Sequence, residues 1–286
     1  MSEARSELPA LISTEELAGL LGAPRLRVLD ASWYLPTSGR DAAAEYRSEH
    51  IPGAVFLDLD ATSDHSTPLP HMLPAPGTFA DAMTALGLDD GDDLVVYDGS
   101  GTNISVARAW WTFHVFGHQR TAVLDGGMPK WRRERRPVES GVVALPSGRF
   151  SAALDRTAIR DLNAMRALLD GTEAQIVDMR PAGRFAGVEP EPRPGLRGGH
   201  IPRSLNLPHA ELVSADGTLL RGTALRQRLA AAGIDLDRSV VATCGSGTSA
   251  CTLLLALHTL GHDGTLYDGS WAEWGSRTDT PVESGA

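Results

Sequence analysis

Val240-Val241-Ala242-Thr243-Cys244-Gly245-Ser246-Gly247-Thr248-Ser249-Ala250 reads as a short apolar strand, a tight loop of small residues led by a cysteine, and the start of a helix. The apolar run from Cys251 to Leu260, closed by Gly261, supplies that helix. Gly245 and Gly247 permit backbone conformations barred to other residues. Such a loop can turn its N–H groups inward, and the following helix adds the positive end of its dipole. Such a cradle is expected to favour the thiolate form of a cysteine, the form that acts as nucleophile. Cys244 is therefore a candidate nucleophile, set against the commoner fate of a cysteine buried for packing.

Outward from the loop, short apolar strands alternate with helices, and the order occurs twice. In the first half Leu26 to Leu29 ends at Asp30, His50-Ile51-Pro52 precedes Val55 to Leu59, and Leu94-Val95-Val96-Tyr97 ends at Asp98-Gly99-Ser100-Gly101. In the second half Ile176-Val177 ends at Asp178, His200-Ile201-Pro202 precedes Leu205-Asn206-Leu207, and the quoted strand ends at Cys244. Both halves close on a similar pattern, Leu124-Asp125-Gly126-Gly127 with Trp131 and Tyr267-Asp268-Gly269-Ser270 with Trp274. The offsets are nearly constant: 148 from Asp30 to Asp178, 150 from His50 to His200, 146 from Asp98 to Cys244, and 143 from Trp131 to Trp274. That is a duplicated domain. Strands without the period-2 pattern of a half-exposed sheet imply parallel sheets covered on both faces, an α/β class. A linker is expected near Pro137 to Phe150. The first copy has Asp98 where the second has Cys244. A carboxylate is a poor nucleophile toward soft sulfur, so one copy is expected to be active and the other kept for scaffold.

Composition narrows the function. Over 286 residues, 42% hydrophobic and 22% charged content is globular, and a net charge of −10 disfavours nucleic acid or an anionic membrane as partner. Met1-Ser2-Glu3-Ala4-Arg5-Ser6-Glu7 is charged and lacks an apolar signal core. No stretch approaches the ~18 uninterrupted apolar residues that span a bilayer. Two cysteines seven positions apart make a poor disulfide framework and suit a reducing compartment. The cytoplasm is the expected location.

With these residues assembled, the chain resembles the tandem-domain rhodanese sulfurtransferases, and among them the 3-mercaptopyruvate branch, nearly from end to end. The resemblance is carried by Cys244-Gly245-Ser246-Gly247, Gly183-Arg184-Phe185 through Glu189-Pro190-Glu191-Pro192-Arg193, Gly199-His200-Ile201-Pro202, His71-Met72-Leu73-Pro74, Leu124-Asp125-Gly126-Gly127 and Tyr267-Asp268-Gly269-Ser270-Trp271-Ala272-Glu273-Trp274. It implies two doubly wound rhodanese-like domains, an inactive copy at 1–140 and a catalytic copy at 150–286. It further implies a cysteine that takes sulfur from a donor, holds it as a persulfide, and passes it to cyanide, a small thiol or a reduced thioredoxin-like protein, without a cofactor. Thiosulfate-specific members typically carry basic residues just after the cysteine, whereas Gly245 and Ser246 match the mercaptopyruvate branch; thiosulfate is the alternative donor. The resemblance assigns donor-carboxylate binding to Arg184 and Arg193, and planar guanidinium forks suit that task. Surface pairing of these arginines with Glu189 and Glu191 is the competing reading. A serine–histidine–aspartate relay maps onto Ser246, His71 and Asp60, with His71 on the first copy. The resemblance further implies that the loop positions Gly245, Gly247, Thr248 and Ser249 contact the substrate. Thr248-Ser249 stands where the branch usually has Val-Thr, and Thr248 is expected to contribute chiefly its backbone N–H.

Other motifs are set aside. His114 and His118 share i, i+4 spacing, as do His258 and His262, but Gly117 and Gly261 put each second histidine past a helix end, and no metal site is expected. Cys251 falls in the helix after the loop and reads as core. A phosphatase of this fold would carry an arginine six residues after the cysteine, and that position is Ala250. A catalytically silent interaction module is the remaining alternative.

Overall fold

The computed structural model describes residues 8–285, so the charged Met1–Glu7 stretch lies outside the described residues. The chain divides into two compact units, one formed by residues up to Thr62 with Ala75–Leu154, the other by Ser63–Pro74 with Asp155 onward. In the first unit the strands are β1 (Leu11–Ile12), β2 (Leu26–Asp30), β3 (Val55–Phe56), β4 (Asp93–Tyr97) and β5 (Thr121–Leu124). In the second they are β6 (Ile159–Arg160), β7 (Ala174–Asp178), β8 (Leu205–Asn206), β9 (Ser239–Thr243) and β10 (Thr265–Tyr267). The sheet orders are β1-β5-β4-β2-β3 and β6-β10-β9-β7-β8, one topology used twice. Every ladder pair is parallel. β4 and β9 are buried at every position after the first, as strands covered on both faces must be. This is the doubly wound α/β fold that the repeat predicts.

The duplication extends to packing. Ile51, Val95 and Trp131 in the first core correspond to Ile201, Val241 and Trp274 in the second. The indole N–H of Trp131 donates to Pro137 O, and that of Trp274 to Pro281 O, each at 2.8 Å. His50 and His200 each exchange backbone bonds with a returning tail, at Glu139 and Glu283 respectively. A buried indole has one donor to satisfy, and placing the acceptor on the tail fastens the end of each unit to its core.

Two local expectations change. The stretch from Pro137 to Phe150 is not free: Gly141 N–H donates to Arg47 O, Gly148 N–H to Thr84 O, and Arg149 O accepts from Asp90 N–H, all within the first unit. The change of unit comes after Leu154. Ser63–Pro74, expected in the first copy, packs with the second unit, because Leu73 N–H donates to the Asp268 carboxylate at 2.9 Å and His71 meets Ser246 and Thr248.

Candidate active site

In the second unit the chain turns from one side of the sheet to the other between β7 and β9, which pair directly with Asp178 opposite Thr243. The carboxyl ends of strands at such a switch point form a ligand crevice. Cys244 follows the last residue of β9 and is 1% exposed. Gly247 lies at φ 72°, in the left-handed region, and lets the loop reverse before the helix Ala250–Thr259 begins. A Cβ placed on Gly245 would meet no atom within 4 Å, so space lies open beside the cysteine.

The loop is held from behind. Cys244 N–H donates to Ser270 Oγ at 3.3 Å, while Trp271 and Ala272 N–H donate to the carbonyls of Cys244 and Gly245 at 2.9 Å each. The Cys251 thiol donates to Gly247 O at 3.2 Å, which gives that buried helix cysteine a packing role at the rear of the loop. The N–H groups of Gly245, Ser246, Thr248 and Ser249 have no acceptor among the described residues. Together with the N-terminus of a ten-residue helix they leave donors for an anion.

The first unit shows the same loop filled. There Asp98 Oδ1 accepts from the N–H groups of Ser100 and Gly101 and from the Ser100 hydroxyl, each at 3.0 Å, and Oδ2 accepts from Ser105 Oγ at 3.1 Å. The carboxylate occupies its own cradle.

Around Cys244, Ser246 Oγ lies 3.1 Å from His71 Nδ1, and Arg193 Nη2 approaches it at 3.5 Å. His71 is 8% exposed and adopts φ 60°, a left-handed backbone uncommon for any residue but glycine. The Thr248 hydroxyl also lies 3.1 Å from His71 Nδ1, so this side chain does more than the expected backbone contribution. Ser249 makes no capping bond to the helix that follows. Asp60 lies in the first unit, where its carboxylate accepts the Trp33 indole N–H at 2.9 Å.

Arg184 sits in the last turn of the helix Ala182–Phe185 and is partly exposed, with Nη1 3.7 Å from Glu191 Oε2. That carboxylate is chiefly engaged elsewhere. Arg180, 1% exposed, donates to Glu191 at 2.6 Å, to Asp178 at 2.7–3.1 Å and to Gly199 O at 2.8 Å, and lies over the Trp271 ring. Burial alone would lower the Arg180 pKa, but the charges and hydrogen bonds of Asp178 and Glu191 raise it above the usual arginine value. Arg180 thus ties the Glu-Pro-Arg loop to the end of β7. Sequence reasoning missed it. Its only signal was an arginine two residues past a strand-ending aspartate, which looks like an exposed charge. Ser270 was missed as well, although its motif was noted. Among the described residues no three His, Cys, Asp or Glu side chains gather as a metal site, and no helix is long and apolar enough to cross a membrane.

The doubly wound units and the cysteine loop define a class, and the sequence profile of the rhodanese-like domain matches residues 13–134 and again 161–277. The chain belongs to the rhodanese family as a two-domain sulfurtransferase. It is 43% identical to the 3-mercaptopyruvate sulfurtransferase of Escherichia coli K12 over 274 residues, covering 95% of this chain and 97% of that one. It is 40% identical over 296 residues to the mitochondrial thiosulfate/3-mercaptopyruvate sulfurtransferase 1 of Arabidopsis thaliana, covering 96% and 78%. The crystal structure of SseA, a 3-mercaptopyruvate sulfotransferase of Escherichia coli, superposes with a TM-score of 0.85 at 40% identity, covering 92% of this chain and 99% of that one.

Proposed function

We propose that this enzyme moves sulfur from 3-mercaptopyruvate, through a persulfide on Cys244, to a thiol, cyanide or a reduced thioredoxin-like protein in the cytoplasm. The observation that carries the reading is one constellation: Ser246 Oγ 3.1 Å from His71 Nδ1 and 3.5 Å from Arg193 Nη2, two residues beyond a cysteine in a loop of unused N–H donors. The Cys244 thiolate attacks the donor sulfur. The carbon–sulfur bond breaks, its electron pair passes into the enolate of pyruvate, and the proton given up by the donor thiol completes pyruvate. Ser246 and His71 manage that proton. The negative outer sulfur then rests among backbone N–H groups, which stabilise it without ordering a side chain. An acceptor thiolate or cyanide attacks this sulfur, the sulfur–sulfur bond breaks, and the Cys244 thiolate returns. Two such half-reactions replace one difficult encounter between donor and acceptor.

Arg193 and Arg184 hold the donor carboxylate in this scheme. Arg184 keeps capacity for it because Glu191 is satisfied mainly by Arg180. Asp60 enters only as the resemblance implies, and Asp60→Asn tests it through the pH dependence of kcat. The second copy carries the catalytic loop, and the first copy is inactive because Asp98 fills its own cradle. Thiosulfate is the competing donor, and the Arabidopsis relative is named for both.

The test is intact mass after exposure to 3-mercaptopyruvate. A gain of one sulfur atom, ~32 Da and removable by cyanide, is expected of a covalent intermediate, together with pyruvate release. Cys244→Ser abolishes both. No mass gain, or persisting turnover in that variant, refutes the mechanism, and faster turnover of thiosulfate refutes the donor.

A further inference from the structure

Thr248 departs from the usual pattern of this loop, and the departure is built into the site. His71 Nδ1 lies 3.1 Å from the Thr248 hydroxyl and 3.1 Å from the Ser246 hydroxyl, and the two hydroxyls are 3.4 Å apart. All three side chains are buried, and all three belong to the second unit. A ring nitrogen offers one in-plane position, either a lone pair or an N–H. Two hydroxyls therefore contend for one partner.

The contestants differ in what else they can do. Ser246 Oγ has a second partner within reach, Arg193 Nη2, on the side where the scheme above places the donor. Among the described residues Thr248 Oγ1 has only the Ser246 carbonyl, at 3.4 Å, besides the His71–Ser246 pair. Threonine is also stiff at χ1, whereas a serine hydroxyl swings freely. Ser246 is the mobile member and Thr248 the fixed one. A partner fixed at χ1 adds to the contacts around His71, whose left-handed backbone persists only where its surroundings over-determine it.

We propose that Thr248 is a positioning residue for sulfur transfer: its hydroxyl holds the His71 imidazole while Ser246 turns to the bound donor. The proposal rests on the sulfurtransferase reading of the site. Without Thr248, each turn of Ser246 toward the donor takes the remaining hydroxyl away from Nδ1. With it, Nδ1 is occupied in both states, so the tautomer that handles the proton is preserved.

The experiment compares Thr248→Val, which keeps the shape and loses the hydroxyl, with Thr248→Ser, which keeps the hydroxyl. In steady-state turnover of 3-mercaptopyruvate, Thr248→Val lowers kcat about fivefold, the worth of one ordinary hydrogen bond, with KM unchanged. The pH profile of kcat shifts in the same variant, and Thr248→Ser restores both. Ser246→Ala combined with Thr248→Val lowers kcat by more than the product of the single effects, since each hydroxyl covers for the other. Equal kcat and pH profiles in wild type and Thr248→Val overturn the proposal, as does an equal loss in both Thr248 variants. Nitrogen-15 spectra of histidine-labelled protein without substrate give a second reading: the His71 Nδ1 resonance moves in Thr248→Val and not in Thr248→Ser. A resonance that stays put in both overturns the role. If wild type releases no pyruvate but the resonance responds as described, the donor assignment fails and the Thr248 role stands.

Discussion

Arg180→Met removes a buried guanidinium and keeps much of its volume. The change strands Asp178 and Glu191, whose side chains are 1% and 2% exposed and share Arg180 as counter-charge. Removing one partner of a buried pair costs ~3–5 kcal/mol, because the remaining charge cannot reach water. For a unit of this size each kcal/mol moves the melting midpoint by roughly 2–4 °C. The second unit should therefore melt roughly 6–20 °C lower. Circular dichroism at pH 7 reads this directly. The triple variant Arg180→Met, Asp178→Asn, Glu191→Gln should recover much of the loss, since it leaves no charge behind. A functional consequence accompanies the thermal one. Glu191, no longer held by Arg180, is 3.7 Å from Arg184 and takes it over, so KM for an anionic donor rises while kcat changes less. A melting shift under about 2 °C would show that the trio is not a structural tie. An unchanged KM in the folded variant would remove Arg184 from donor binding.

Two further outcomes follow from the same structure. Gly199→Ala should cost roughly 2–3 kcal/mol in urea unfolding, because Gly199 lies at φ 110° and an added Cβ would sit 2.3 Å from Glu283 O; a neutral result would mean that the Glu283 tail shifts freely. Stability should also fall on acidification below about pH 6.5, the ordinary histidine value. Burial lowers the pKa of His118 in the first unit and of His209, beside Arg184, in the second. Each stays neutral in the fold where the unfolded chain is already protonated, so the associated stability is full above that pH and is lost as pH falls toward the depressed folded value. His118→Gln and His209→Gln should each flatten the acid limb of a melting-point profile, and an unchanged limb in both refutes the assignment.

The fold was legible in the sequence because parallel strands buried on both faces leave continuous apolar runs, and because duplication wrote the pattern twice. The cysteine loop was legible for a related reason, since small residues between such a strand and a helix have few uses. Three features were not legible. Ser63–Pro74 packs with the second unit through bonds to residues 175 to 195 positions away, which no local periodicity announces. Arg180 and Glu191 look like ordinary surface charges until tertiary packing buries them together. Thr248 read as a departure that contributes chiefly its backbone N–H, because the contact of its hydroxyl is with a histidine delivered from far away in the chain.

The filled loop of the first unit has one more consequence. An aspartate oxygen stands two bonds beyond Cβ, and so does the outer sulfur of a cysteine persulfide. Asp98 Oδ1 takes the N–H groups of residues two and three positions on, Ser100 and Gly101. The matching positions after Cys244 are Ser246 and Gly247. On the chemistry proposed, the chain therefore carries an inert likeness of its own loaded intermediate, cast in carbon and oxygen. Spectroscopic signatures of the Ser100 and Gly101 amides then supply an internal standard for the second loop: as sulfur is loaded, the Ser246 and Gly247 amides should move toward them, and on transfer to the acceptor they should move back.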